Sequence, residues 1–268
     1  MEFWQAALLG LVQGLTEFFP VSSDGHLVAL ERWLGVRQAD SGASIEAILH
    51  LGTLIACVIA FRRELPPLLG LCFSRVGWRR MVAPAADDAL GQDARFVLVG
   101  TVATVATALP TKDALVALYD VKSIVALCLV LTGVFLLGSR YLLAIRARTP
   151  AWWQGVVVGI CQTAAILPGL SRSCTTVLVG LLVGLGAQDV ARRSFLLSMP
   201  IVLAAVVSSL VDHLPPRELI APLVVGNLVA LAVGMVAVQA MLRWVPRGRM
   251  HWFAPWCFAV AAAVWWGT

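Results

Sequence analysis

The sequence alternates between long apolar runs and short polar stretches over its whole length. Ten apolar segments can be marked, at residues 2–19, 23–35, 44–61, 95–109, 122–139, 151–167, 173–186, 194–212, 218–242 and 251–266. Several of these runs approach the ~20 residues that a helix needs to cross a bilayer. Backbone groups cannot bond to water inside a bilayer, so continuous apolar runs of this kind must form helices. The pattern therefore predicts an all-α polytopic membrane protein.

The apolar segments form two sets of five in the same order. In each set two short segments flank a proline, Pro20 or Pro168, and three further segments follow. Matching broken pairs in the two halves of a chain are typical of inverted repeats around a midplane site. We therefore expect one membrane domain, 1–268, built from inverted repeats at roughly 1–145 and 150–268. Each repeat is predicted to contain a broken re-entrant helix pair followed by three transmembrane helices.

Composition and charge agree with a lipid environment. Hydrophobic residues make up 60% of the chain and charged residues 13%, against roughly a half and a quarter in soluble domains. The net charge of +5 is concentrated in arginines of the loops 62–93, 140–150 and 243–250, so it indicates topology rather than a nucleic-acid surface. Placing these loops in the cytoplasm satisfies the positive-inside rule. The first broken pair then enters the membrane from outside and the second from inside.

The first break carries a polar stretch that runs from Gln13 to His26. Gln13 and Glu17 are four residues apart and therefore share a helix face. A carboxylate in a membrane segment is costly and usually functional. Ser22 or Ser23 can cap the helix that follows the break, and His26 lies one turn after Ser23. A hydroxyl, an imidazole and a carboxylate within reach of each other are the groups that an activated nucleophile needs.

The second break carries an arginine among hydroxyls at the start of a helix. Helix N-termini present free N–H groups and bind phosphate readily. The guanidinium of Arg172 adds a planar donor pair suited to phosphate oxygens, and hydroxyls are available from Ser171, Ser173 and Thr176. The two breaks together predict a single phosphate-handling site inside the bilayer.

Other polar residues in the apolar segments have simpler interpretations. Asp24 lies one residue after Ser23 and so does not share the helix face of the proposed site. We interpret it as a cap or rim residue. His50 lies inside the segment 44–61, where a packing or hydrogen-bonding role is favoured. Serines and threonines in membrane helices often only hold neighbouring helices together. The serines at the two breaks differ from these because they lie beside charged residues.

At these two motifs the chain resembles the undecaprenyl-diphosphate phosphatase family, the bacitracin-resistance membrane proteins. That family carries E/Q-x-x-x-E, then P-V-S-S-x-G-H, and later P-G-x-S-R-S-G-x-T. The corresponding stretches here are Gln13 to Glu17, Pro20 to His26, and Pro168 to Thr176. Three positions depart from the usual pattern, with Gln13 for a Glu, Asp24 for a Thr and Cys174 for a Gly.

The resemblance implies an enzyme that removes the terminal phosphate of undecaprenyl (C55 polyprenyl) diphosphate. The product, undecaprenyl phosphate, is the carrier lipid recycled in cell-wall synthesis, and the site would face the periplasmic side of the bacterial plasma (inner) membrane. A divalent cation, Mg²⁺ or Ca²⁺, would assist. By motif position, Glu17 would hold or assist the metal, and Ser23 would be the candidate nucleophile, with water as the alternative. His26 would be the base or the proton donor to the leaving group. Arg172 would grip the diphosphate, together with the binding residues Gln13, Ser22, Gly169, Ser171, Ser173 and Thr176.

Three alternatives remain open from the sequence. A transporter or flippase for polyprenyl phosphate would use the same phosphate site, but it would need no nucleophile beside it. A lipid phosphatase of the phosphatidic-acid type needs a second histidine six residues after the arginine, where this chain has Leu178. A structural scaffold would make the polar residues dispensable. The sequence does not give the oligomeric state, and a homodimer is one arrangement that it allows.

Overall fold

The computed structural model describes residues 1–36, 42–83, 88–119, 121–142, 151–212 and 214–266. Most of the predicted loop 140–150 lies outside these ranges. Within them the chain forms twelve α-helices: α1 Phe3–Thr16, α2 Ser23–Trp33, α3 Gly42–Ala60, α4 Leu65–Cys72, α5 Arg75–Val82, α6 Ala89–Val116, α7 Lys122–Leu142, α8 Trp152–Thr163, α9 Arg172–Leu182, α10 Ala187–Asp212, α11 Arg217–Trp244 and α12 Ala254–Trp266. Two 3₁₀ turns, Ala164–Ile166 and Arg249–Phe253, precede the second break and α12.

Four helices of the described chain are long and apolar enough to cross a membrane: α6, α7, α10 and α11. The bent pair of α3 and α4, which meet at 95°, makes a fifth candidate if it is counted as one span. The prediction of an all-α, multi-pass membrane protein is therefore confirmed.

Both predicted breaks interrupt a helix. α1 ends at Thr16 and α2 begins at Ser23, with Pro20 in the turn between them. Proline has no backbone N–H and cannot continue the hydrogen-bond ladder of the preceding helix. At the second break Gly169 has a φ of +96°, a conformation that glycine adopts without the penalty of a Cβ.

Close backbone contacts hold the short helices against long ones. α1 packs along α11, and α8 packs along α6. A Cβ at Gly10 would lie 2.0 Å from the carbonyl oxygen of Gly226, and one at Gly159 would lie 2.3 Å from that of Gly100. Small residues allow membrane helices to approach this closely.

Gly10→Ala should therefore destabilise the protein by at least the ~1–3 kcal/mol typical of overpacking, because the new methyl group meets the backbone of α11. Thermal unfolding of the purified protein measures this effect. Gly138→Ala is the matched control, since no described residue lies within 4 Å of the Cβ that it adds. Equal melting temperatures for the two variants would contradict the close contact of α1 and α11.

The structure differs from the predicted segments in two places. The region 64–93 was expected to be a loop, yet it contains α4, α5 and the start of α6. Two prolines occur early in α4, at the first turn, where their missing N–H groups would have no helical partner in any case. The predicted span 251–266 begins with the 3₁₀ turn, which leaves α12 with 13 residues.

Candidate active site

A hydrogen bond joins the two breaks directly. The hydroxyl oxygen of Ser22 accepts from the backbone N–H of Gly25, at 3.4 Å, and from that of Gly169, at 3.0 Å. A Cβ at Gly25 would lie 3.0 Å from the Cα of Gly169. The start of α2 therefore lies against the segment before α9, as the sequence predicted for one shared site.

The second break is fixed by hydroxyls on α7 and α9. Thr132 of α7 donates to the carbonyl of Gly169, at 2.8 Å, and accepts from the N–H of Ser171, at 3.1 Å. The Ser171 hydroxyl accepts from the N–H of Cys174, at 3.3 Å, and lies 3.2 Å from the hydroxyl of Ser173. These contacts leave Ser171 and Ser173 adjacent at the start of α9.

Thr176 lies deeper in the same helix. Its hydroxyl donates to the carbonyl of Arg172, at 2.8 Å, and lies 2.5 Å from the hydroxyl of Ser194 on α10. Both contacts are within the protein, so Thr176 joins α9 to α10. Its predicted contact with substrate stays a prediction.

Glu17 lies at the centre of the site, in the turn that follows α1. Its Oε2 accepts from the hydroxyl of Ser23, at 2.9 Å, and from the side-chain amide of Gln13, at 3.2 Å. Its Oε1 lies 3.4 Å from Nη2 of Arg172. Nη1 of Arg172 is buried and has no hydrogen-bond partner among the described residues. The site thus combines a hydroxyl held by a carboxylate with an unsatisfied guanidinium donor.

His50 is a site residue that the sequence interpretation placed elsewhere. Its Nδ1 lies 2.8 Å from the carbonyl of Glu46, which agrees with the hydrogen-bonding role that was expected. Its Nε2, however, lies 3.2 Å from Oε2 of Glu17 and 3.7 Å from the carboxylate of Asp24. One signal was available, because Glu46, His50 and Thr53 are spaced to share one face of α3.

The imidazole of His26 does not have the partners that its predicted role needs. Its Nδ1 lies 2.7 Å from the carbonyl of Ser22 and therefore carries the proton. Its Nε2 accepts from the indole N–H of Trp256, at 2.8 Å. Both ring nitrogens are occupied in this way, and the Ser23 hydroxyl donates to Glu17 instead. The Ser23 hydroxyl therefore contacts Glu17 rather than His26, and a role of His26 as base or as proton donor to the leaving group stays a prediction.

A large cavity of about 1440 Å³ reaches this site. Asp24, His50 and Arg172 contribute to its polar lining. The apolar lining comes largely from α6 and α10: Val105, Ala108, Leu109, Val116, Ile201, Val202, Ala204, Ala205 and Val206. A second pocket of about 10 Å³ lies among Glu17, Ser23 and Arg172, and it is large enough for only about one water molecule. A phosphate is larger than this pocket, so the side chains around it must move apart before a phosphate can enter.

The oxygen ligands around Glu17 are few. They suit a cation that binds together with a phosphate better than a cation that is coordinated by protein groups alone. The described residues include no cluster of three His, Cys, Asp or Glu side chains suited to a metal ion. Oε1 of Gln13 is buried and has no hydrogen-bond partner in the part of the chain that the structure describes, so Glu17 and Gln13 offer two kinds of oxygen ligand. Mg²⁺ often binds through one or two carboxylates together with substrate phosphates.

Comparison with known proteins identifies the family. The sequence model described as bacitracin resistance protein BacA matches residues 6–263. The chain belongs to the BacA family. Its relatives include undecaprenyl-diphosphatases of Desulforapulum autotrophicum, 34% identical over 97% of this chain and 96% of that protein, and of Rubrobacter xylanophilus, 36% identical over 98% and 97%. A third, from Korarchaeum cryptofilum, is 33% identical over 98% of both chains.

This BacA chain departs from the motif of its family at Cys174 without filling the site. The thiol is buried, and its Sγ lies 4.0 Å from the carbonyl of Thr132 on α7. The side chain therefore points towards α7, and the backbone N–H of Cys174 still donates to Ser171. We infer that cysteine replaces glycine here without changing the start of α9.

Proposed function

We propose that the chain hydrolyses the terminal phosphate of undecaprenyl diphosphate and so regenerates the carrier lipid of cell-wall synthesis. Relatives named undecaprenyl-diphosphatase match nearly the whole chain. The single observation that carries the proposal is the contact of the Ser23 hydroxyl with Glu17, at 2.9 Å, beside the unsatisfied Nη1 of Arg172. A nucleophile, a proton acceptor and a phosphate-binding cation are thereby within reach of one phosphate.

Arg172 and the two helix starts bind the diphosphate. A guanidinium and a phosphate form paired, charge-assisted hydrogen bonds, and Nη1 of Arg172 is the donor available for them. α2 and α9 begin at Ser23 and Arg172, so their first N–H groups add positive potential at the same place. Ser171 and Ser173 add hydroxyl donors, and Ser22 and Gly169 keep the two starts together.

Ser23 carries out the displacement. Its oxygen forms a bond to the terminal phosphorus while the bond from that phosphorus to the bridging oxygen breaks, and undecaprenyl phosphate leaves. The serine proton passes to Glu17, which already accepts its hydrogen bond. Water then hydrolyses the phosphoserine, which releases inorganic phosphate and restores the hydroxyl. A base oriented by a third group is the usual arrangement around such nucleophiles, and His50 is that third group here.

His26 takes a positioning role in this mechanism. Its proton bonds to the carbonyl of Ser22, and its other nitrogen accepts from Trp256 of α12. The imidazole therefore fixes the first turn of α2, on which Ser23 stands.

A divalent cation would be held by Glu17, Gln13 and the phosphate oxygens. When bound, it supplies positive charge that neutralises the oxygens of the diphosphate. Both Mg²⁺ and Ca²⁺ take oxygen ligands of this kind. With a neutral amide at position 13, the protein alone offers such a cation little negative charge.

Gln13→Glu should therefore increase the affinity for the cation. We expect the Mg²⁺ concentration for half-maximal phosphate release to fall several-fold, because a second carboxylate then faces Glu17. Gln5→Glu is the matched control, since Gln5 lies earlier in α1 and bonds to Glu2 and Leu34. An unchanged metal dependence of Gln13→Glu would exclude position 13 from the cation site.

The catalytic site faces the periplasmic side of the bacterial inner membrane in this proposal. α6 and α10 begin near the basic pairs Arg79–Arg80 and Arg192–Arg193, and the positive-inside rule assigns such residues to the cytoplasm. The cavity lining includes Lys112 and Ser209, near the opposite ends of the same two helices. The cavity therefore extends away from the cytoplasmic side.

The inverted-repeat arrangement is part of the proposal. Support comes from the packing of α1 on α11 and of α8 on α6, which are equivalent pairs if repeats near 1–145 and 150–268 are related. The glycine contacts repeat in the same way, as Gly10 with Gly226 and Gly159 with Gly100. A homodimer stays a hypothesis, and the chemistry needs none because one chain supplies every side chain used.

Purified protein incubated with undecaprenyl diphosphate tests the function. We expect inorganic phosphate and undecaprenyl phosphate in equal amounts. If the wild type released no phosphate, but vesicles showed translocation of the lipid head group that required Arg172, the protein would be a transporter and not a hydrolase.

A further inference from the structure

The turn at the inner end of α3 carries a surface that the proposed reaction does not use. We call residues 61–83, which contain α4 and α5, the inner hairpin. α4 meets α3 at 95°. We take α3, the predicted span 44–61, to cross the bilayer, and the bend then places α4 roughly along the membrane surface. α5 follows α4 and packs against it.

Large apolar side chains project outward from the inner hairpin. Phe73 is 87% exposed, Val76 is 71% exposed and Trp78 is 52% exposed. Exposure to water would be unfavourable for side chains of this size. An amphipathic helix at a membrane interface buries such a face among the lipid headgroups, and tryptophan is enriched at that depth.

Arginines accompany these apolar side chains. The inner hairpin contains five arginines and one acidic residue, Glu64, and Glu64 is bonded to Arg192. Arg80 is paired with Asp88. Arg75 and Arg79 are exposed and four residues apart, so they share a face of α5. The surface is therefore both apolar and strongly basic.

The two helices of the inner hairpin pack closely against each other. A Cβ at Gly77 would lie 2.4 Å from the carbonyl of Leu71, and Met81 is buried. The Ser74 hydroxyl caps α5 by accepting from the N–H of Gly77, at 2.9 Å.

Ion pairs join the hairpin to the long helices. Arg192 of α10 bonds to Glu64, at the start of α4, and to Asp93 of α6, at 2.5 and 2.7 Å. Arg193 adds a second bond to Asp93, at 2.7 Å. These ion pairs connect the start of α4 to α6 and α10.

We propose that the inner hairpin binds anionic phospholipid headgroups of the cytoplasmic leaflet through Arg75 and Arg79, with Phe73 and Trp78 inserted between the lipids. Charge complementarity selects the anionic headgroup, since basic residues beside a membrane attract acidic lipids. The orientation of α4 selects a lipid as the occupant, because it holds the exposed aromatic residues at the level of the bilayer surface. This inference does not depend on the proposed reaction.

The full-length protein in nanodiscs of equal parts phosphatidylglycerol and phosphatidylcholine provides the test. After mild extraction, native mass spectrometry counts the lipids of each kind that stay bound. We expect the wild type to retain phosphatidylglycerol several-fold over phosphatidylcholine, and Arg75→Gln/Arg79→Gln to bring the ratio close to one. Arg75→Lys/Arg79→Lys should keep most of the preference, because it keeps the charge.

The matched control is Lys122→Gln/Arg217→Gln. It removes two exposed charges at the starts of α7 and α11, on the side of the membrane opposite the inner hairpin. It should retain the wild-type lipid ratio, and all variants should keep the wild-type melting temperature. The proposal would be overturned if the wild type bound both lipids equally. It would also be overturned if Arg75→Gln/Arg79→Gln kept the wild-type preference for phosphatidylglycerol. A shift from oligomer to monomer in the Gln pair, at an unchanged lipid ratio, would identify a second copy as the occupant instead.

Discussion

Glu17→Gln should lower the rate of phosphate release by about 10²–10⁴-fold, the range that a positioned proton acceptor contributes. The amide keeps the size of the side chain but cannot take the proton of Ser23, whose hydroxyl lies 2.9 Å from Oε2 of Glu17. Initial rates with undecaprenyl diphosphate at saturating substrate measure the loss. Because the proton acceptor acts in the chemical step, kcat should fall much more than KM rises.

Two further variants separate this role from structural support. His50→Leu removes one group that orients Glu17, at 3.2 Å, but keeps the Glu17 carboxylate, so it should cost less than Glu17→Gln. Glu2→Gln, which changes a carboxylate at the start of α1, should leave the rate unchanged. If the Glu17→Gln protein kept at least half of the wild-type kcat, Glu17 would not be the proton acceptor.

Arg172→Ala should abolish most of the activity, by about 10³–10⁵-fold, as loss of an arginine does in other phosphoryl transfers. Its buried Nη1 has no partner in the described chain, so the guanidinium is ready to bind an incoming phosphate. The loss should appear in both kcat and KM, since the same side chain binds the diphosphate and stabilises its charge as the bond breaks. Phosphate release over a substrate titration provides both constants.

Arg172→Lys should recover only a small part of the lost rate, because an ammonium group cannot form the paired hydrogen bonds of a guanidinium. Arg217→Ala serves as the control for removing one positive charge far from the site. If Arg172→Lys were as active as the wild type, the paired hydrogen bonds would have no part in the reaction.

The sequence was sufficient to predict the two breaks and the contact of Gln13 with Glu17. Pro20 and Pro168 mark them because each lies beside a polar stretch, whereas Pro200 and Pro222 lie in apolar surroundings inside α10 and α11. The four-residue spacing of Gln13 and Glu17 put both side chains on one face, and they are in contact at 3.2 Å. Local rules of this kind need no knowledge of the rest of the fold.

Contacts between distant segments could not be predicted in this way. Trp256 bonds to His26 across 230 positions, and only the packing of α12 brings them together. His50 reaches Glu17 because α3 packs beside α1. Its spacing from Glu46 and Thr53 indicated a polar face, but not which helix that face would meet. α5 could not be predicted from its arginines, because cytoplasmic loops and interfacial helices are both rich in arginine.

The central claim is that Ser23 becomes phosphorylated when Glu17 accepts its proton. Acid quenching of the enzyme during turnover of undecaprenyl diphosphate, followed by peptide mass spectrometry, tests this directly. The account predicts a phosphate on Ser23 in the wild type, no such phosphate in Arg172→Ala, and negligible phosphate release by Ser23→Ala. An unmodified Ser23 during turnover, together with a Ser23→Ala protein that keeps its rate, would contradict it.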